Sequence, residues 1–115
     1  MYPTKIETQR DILHEILSSL DGVKKVYYQP PSKEPIVYPC IIYELTNFVT
    51  KHSNNGRYLS FPQYTVQLID RNPESIIQKE LLDLKQGCHV AFDRFFALDN
   101  LNHWNYTLVF TRALW

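Results

Sequence analysis

The stretch Phe92–Phe110, FDRFFALDNLNHWNYTLVF, decides the fold. In its second half Trp104, Tyr106, Leu108 and Phe110 recur at every second position, the period of a strand that buries one face. The residues from His89 to Leu98 are equally β-prone, so the stretch predicts two strands, His89–Leu98 and Trp104–Arg112, meeting at LDNLNH. That corner holds Asp99, Asn100, Asn102 and His103, residue types that can bind a metal or work as acid and base. Asp and Asn also bond back to their own backbone in turns. No second acidic cluster or Cys pair stands nearby in sequence, which favours a corner in which Asp99 and Asn102 satisfy backbone groups and His103 opens the final strand. His89 and Asp93 are four apart, about 13 Å along a strand, too far for a local dyad.

Upstream, Asn55-Gly56 is the strongest turn signal in the chain. It sits in KHSNNGRY, between two β-prone runs: CIIYELTNFV from Cys40, and YTVQLID, where Tyr64, Val66 and Leu68 alternate. They predict a long hairpin with a loop over Thr46–Ser60. The loop carries Lys51, His52 and Arg57, with no acidic residue between Glu44 and Asp70 and with Tyr58 available for stacking. Such a tip is either a solvated loop or a thin phosphate-facing patch. A loop of this length also suggests a contact.

Two helices complete the pattern. From Thr4 to Leu20 the apolar Ile6, Leu13, Ile16, Leu17 and Leu20 recur at helical spacing, with Thr4 and Glu7 placed as a capping box and Gly22 as the stop. A short strand, Val23–Tyr28, follows and ends before Pro30. Arg71–Leu84 predicts the second helix, capped by Asn72, with Pro73 at its first position, an apolar face of Ile76, Ile77, Leu81 and Leu84, and Gly87 after it. The order α-β-β-β-α-β-β gives an α+β fold: a mostly antiparallel sheet with both helices packed on one face and the other face open to water or a partner.

The 115 residues suit one domain, 1–115, with one core. Twelve Lys and Arg balance twelve Asp and Glu, so no global field draws the chain to nucleic acid or an acidic membrane. No signal-like segment opens it, and no run approaches the roughly 20 apolar residues of a membrane span, which points to a cytoplasmic, soluble protein. Cys40 and Cys88 lie in apolar surroundings without metal-ligand spacing and read as core residues rather than a disulfide. No phosphate loop, nucleophile elbow or paired Cys motif is present, and nothing asks for a cofactor. Eight Tyr, six Phe and two Trp are many rings for so small an interior, so some are expected at a partner.

The segments YPCIIYELTNFVTKHSNNGRYLSFPQYTVQLIDRNPES and FDRFFALDNLNHWNYTLVF together resemble the small tail-completion proteins of long-tailed phages of Gram-positive hosts. The matching features are Tyr38-Pro39, Asn54-Asn55, Tyr64 with Asp70, Pro73-Glu74-Ser75, Phe92-Asp93-Arg94 and Asp99–His103, spread over Val37–Phe110. The resemblance implies a structural role without catalysis: a tail terminator forming a ring, commonly of six copies. Such a ring caps the head-proximal end of the tail tube, stops its polymerisation and meets the head-completion or connector proteins. The alternative in the same class is a head-to-tail joining ring on the portal or adaptor. The third reading, an enzyme or nucleic-acid module using His103, Asp99 and the basic hairpin, belongs to another class. The resemblance implies subunit or partner contacts at Lys51, His52, Asn54, Asn55, Arg57, Tyr58, Asp93, Arg94, Asp99 and His103, with Asp93 and Arg94 as an internal ion pair or a bridge between subunits. It also implies non-specific DNA contact in the lumen if the hairpin lines it, and a place in the virion tail or neck after assembly in the host cytoplasm.

Overall fold

The computed structural model describes residues 6–29, 36–52, 58–84 and 87–111. Its elements run α1 (Ile6–Ser18), β1 (Lys25–Tyr28), β2 (Cys40–His52), β3 (Tyr58–Asp70), α2 (Ile77–Leu82), β4 (Cys88–Leu98) and β5 (Leu101–Phe110), the expected order. The strands form one sheet, β1-β2-β3-β5-β4. The β1–β2 pair is parallel and the other three pairs are antiparallel.

Alternation in β3 and β5 builds the core. Tyr64, Val66 and Leu68 face the helices beside Trp104, Tyr106, Leu108 and Phe110, and Ile41 and Tyr43 continue the layer onto β2. Leu13, Ile16 and Leu17 of α1 and Ile77 and Leu81 of α2 close it from one side. Leu68 and Leu108 are completely enclosed. Truncating either to Ala costs about 2–5 kcal/mol, because lost transfer energy and an unfilled cavity add. Tyr43, Tyr64 and Tyr106 are also enclosed, and two keep their hydroxyls bonded: Tyr43 with His14 Nδ1 at 2.9 Å, and Tyr106 donating to the Gln78 carbonyl at 2.9 Å. The second bond ties α2 to the middle of the sheet. At the end of α1, Gly22 takes the expected positive φ, 90°, and lies against the side chain of Ile77. The expected cap Thr4 lies outside the described residues.

The opposite sheet face is less open than its alternation suggests. Tyr27, Cys40, Ile42 and Ile69 form a second, smaller cluster there, flanked by Ile36, Tyr38 and Leu101. Both cysteines are buried and neither is in a disulfide, and burial pushes the Cys40 thiol up to about 12.

Two expectations need correction. The loop expected over Thr46–Ser60 is mostly strand: β2 runs on to His52 and β3 begins at Tyr58, paired in register from Val49↔Phe61 to His52↔Tyr58. Ladder hydrogen bonds outweigh the low β-propensity of Asn47, Lys51 and Ser60. The second helix is shorter than Arg71–Leu84. Asp70 Oδ1 accepts from the Asn72 amide at 3.1 Å, and Asn72 Oδ1 accepts from the Glu74 amide at 3.0 Å. These local bonds hold the chain in turns where helix was expected. The helix starts after Ile76, which has no side-chain cap and is 69% exposed rather than part of the apolar face.

Candidate interaction surface

The LDNLNH corner is a two-residue hairpin turn. Leu98 pairs with Leu101 across Asp99 and Asn100, whose φ angles are 54° and 64°. Positive φ at both central residues is the mark of a type I′ turn, whose twist matches the flanking strands, and Asp and Asn tolerate it best after Gly. Asp99 and Asn100 are therefore exposed turn residues chosen for backbone conformation. Asn102 does what was expected of it: its side-chain amide donates to the carbonyls of Asp70 and Arg71, both at 3.2 Å.

His103 is the third residue of β5, opposite Ile69 and Phe96. Its ring stacks on Phe96 at 4.5 Å with planes 5° apart, and burial holds its pKa below the usual imidazole value. The arrangement reads as packing. Among the described residues no group of three or more His, Cys, Asp or Glu is placed to hold a metal ion.

Asp93 and Arg94 do not form an ion pair with each other. A bulge between Phe92 and Arg94 leaves Asp93 without an opposite number on β5. Its Oδ2 accepts a 2.6 Å hydrogen bond from Thr107 Oγ1, while the Arg94 guanidinium lies over the Phe96 ring at 4.8 Å. A matching irregularity on β2, between Leu45 and Asn47, sets Thr46 on the same open face, where its hydroxyl accepts from Thr65 Oγ1 at 3.2 Å. Between the two bulges lies a shallow hollow of about 310 Å³ walled by Glu44, Thr65, Gln67, Asn105, Asp93 and Arg94.

Toward the hairpin the face becomes apolar. Val49, Phe61 and Val109 floor a second hollow of about 440 Å³, edged by His89 and by Lys51, whose ammonium sits 5.6 Å from the Phe61 ring. Lys51 and His52 are exposed on β2, and Tyr58 pairs with His52 at the start of β3. Asn54, Asn55 and Arg57 lie outside the described residues. Among the described residues β3 pairs with β5 from Gln63 onward, and Phe48–His52 and Tyr58–Pro62 pair with each other. Thirteen residues of β2 span roughly 43 Å, most of the 51 Å long axis. The hairpin thus extends past the two-layer body as a ribbon.

No protein-family model matches the chain, and no curated protein matches it. Among the described residues no helix is long and apolar enough to cross a membrane. The surface residues that sequence reasoning overlooked are Phe92 and Phe95 on the outer strand β4, which remain 46% and 47% exposed. The FDRF spacing gave no sign of them, since residues three apart on a regular strand point to opposite faces.

Proposed function

We propose that this chain is a structural tail-completion protein of a long-tailed phage, a terminator whose copies form a ring on the head-proximal end of the tail tube. The observation that carries the reading, beside the resemblance over Val37–Phe110, is the long β2–β3 ribbon, whose outer half, among the described residues, pairs β2 with β3 beyond the reach of β5. A long two-stranded ribbon of this kind is suited to lie against a neighbouring subunit, and closure of a ring would cover sheet edges that otherwise invite aggregation. Lys51 on that ribbon can meet phosphates if the ribbon lines the channel. In this reading the LDNLNH corner, Asn102 above all, serves architecture rather than chemistry.

The test is the mass of the purified chain over a wide concentration range, alone and with tail-tube protein, together with negative-stain images. A ring of about six copies, or a ring that appears only on tube ends, together with tubes that stop growing, is the expected result. A chain that neither forms rings nor binds tubes overturns the reading. A ring that ignores tubes and binds a portal or adaptor ring replaces it with the head-to-tail joining role.

A further inference from the structure

β4 is an outer strand of the sheet, and its bulge changes what its edge presents. The extra residue at Asp93 brings Phe92 and Phe95 to the same face: Phe92 stands opposite Tyr106 and packs edge-on at 5.5 Å, and Phe95 stands opposite Trp104 at 5.2 Å. The same bulge puts Asp93 and Arg94 side by side on the other face, one reaching Thr107 and the other lying over Phe96. Phe92-Asp93-Arg94-Phe95 therefore has the same order of shape when read in either direction, with an acid and a base exchanged about its midpoint.

We infer that a second copy of this chain docks antiparallel on the β4 edge, about a two-fold axis between Asp93 and Arg94. Residues directly opposite in an antiparallel pair share a face. In this register Asp93 faces Arg94 of the second copy, and Arg94 faces its Asp93. Phe92 faces Phe95 in both directions, and Ala91 faces Phe96. Every pair matches the face on which the fold already holds it: Ala91 and Phe96 lie opposite Thr107 and His103 on the open face, and the two Phe lie on the helix side. Charge complementarity selects this occupant, because the contact contains two acid–base pairs and no like-charge pair.

The bulge adds a second selection. A bulge normally protects an edge, because a regular strand laid against it falls out of register. Opposite its own copy, each extra residue meets an extra residue and the count is kept. The edge thus rejects ordinary strands and accepts itself. The four half-exposed Phe rings cover about 300–500 Å² between them, well below a standard interface, so the dimer is weak and reversible and relies on backbone pairing. A two-fold contact closes with two copies and cannot propagate around a ring. It is a state of the free chain, and it follows from the fold without depending on the tail reading.

Sedimentation equilibrium on the full chain tests it with Asp93→Lys and Arg94→Glu. Each variant sets like charges face to face, so each is expected to dimerise at least about tenfold more weakly than the parent chain. Mixed in equal amounts they are expected to recover the parent affinity within a few-fold, because in the mixed pair a cation again faces an anion at both positions. Raised salt weakens the parent dimer. Should Asp93→Lys fail to fold, Asp93→Asn keeps the acceptor for Thr107 and is expected to weaken the dimer several-fold. A parent chain that remains monomeric into the millimolar range, a dimer or larger ring indifferent to both variants, or a mixture that does not recover overturns the inference. None of these outcomes touches tube capping, so failure here and failure of the terminator reading are separable.

Discussion

Asn102 stands opposite Asp70 where β5 meets the end of β3, and its side-chain amide donates to the Asp70 carbonyl at 3.2 Å. From the same nitrogen it reaches the Arg71 carbonyl, so one buried side chain satisfies two backbone acceptors just where the chain leaves the sheet toward α2. Asn102→Ala leaves both without that donor and is expected to cost about 1–3 kcal/mol in urea unfolding. Asn102→Asp is expected to cost more, since a carboxylate would face two carbonyl oxygens. A loss below about 0.5 kcal/mol, the range of ordinary surface changes, would remove Asn102 from the architecture.

The hairpin turn separates a backbone role from a side-chain role. Asp99→Ala puts a residue without a local hydrogen-bonding group at φ 54° and is expected to destabilise by about 1 kcal/mol. Asp99→Gly, and Asn100→Gly, which makes an Asp-Gly turn, are expected to be neutral or stabilising. If Asp99→Gly is as harmful as Asp99→Ala, the carboxylate itself matters and the turn account is wrong.

Alkaline pH should reveal the enclosed phenols. Burial pushes Tyr43 and Tyr64 up to about 12, and Tyr106 higher still. The folded chain keeps protons that the unfolded chain releases near 10 for Tyr and near 9 for Cys, so these groups stabilise fully below pH 9. That contribution is lost as pH rises toward 12. Urea midpoints are expected to fall above pH 9, with tyrosinate absorbance from these rings appearing only as the chain unfolds. Ionisation of all Tyr near pH 10 in a chain that stays folded contradicts the packing.

His103 sets the acid side. Its folded pKa lies below 6.5 because burial opposes the charged ring. The unfolded state therefore gains the proton first, and the contribution of His103 is complete above pH 6.5 and lost as pH falls below it. His103→Gln should flatten that part of the stability profile. A profile unchanged between the two proteins would show that His103 does not titrate with unfolding.

Period alone made much of this fold legible. Tyr64–Asp70 and Trp104–Phe110 announce one buried face, and Leu13, Ile16 and Leu17 announce another, because burial imposes spacing on sequence. Asp70 and Asn72 misled, because the side chains that can cap a helix also close turns that precede one. The outer halves of β2 and β3 were obscured by Asn, Lys and Ser, whose place in the ladder depends on a partner strand rather than on their own preference. Neither bulge leaves a mark in composition, so the shared face of Phe92 and Phe95, and that of Asp93 and Arg94, became visible only with the register. The place of β5 between β3 and β4 was likewise open, since pairing order is a long-range property.

That place for β5 has a consequence for synthesis. The flank of β3 that β5 will cover is translated more than thirty residues earlier, with Gln63–Asp70 waiting for Asn102–Val109. Until β5 emerges from the ribosome, Tyr64, Val66 and Leu68 lack one of the walls that bury them, and β4 has no strand to pair with. Long-range pairing of this kind makes folding slow and exposes intermediates to aggregation. A nascent chain halted anywhere before β5 holds an unfinished sheet, so its hold on chaperones should end only with the arrival of that strand.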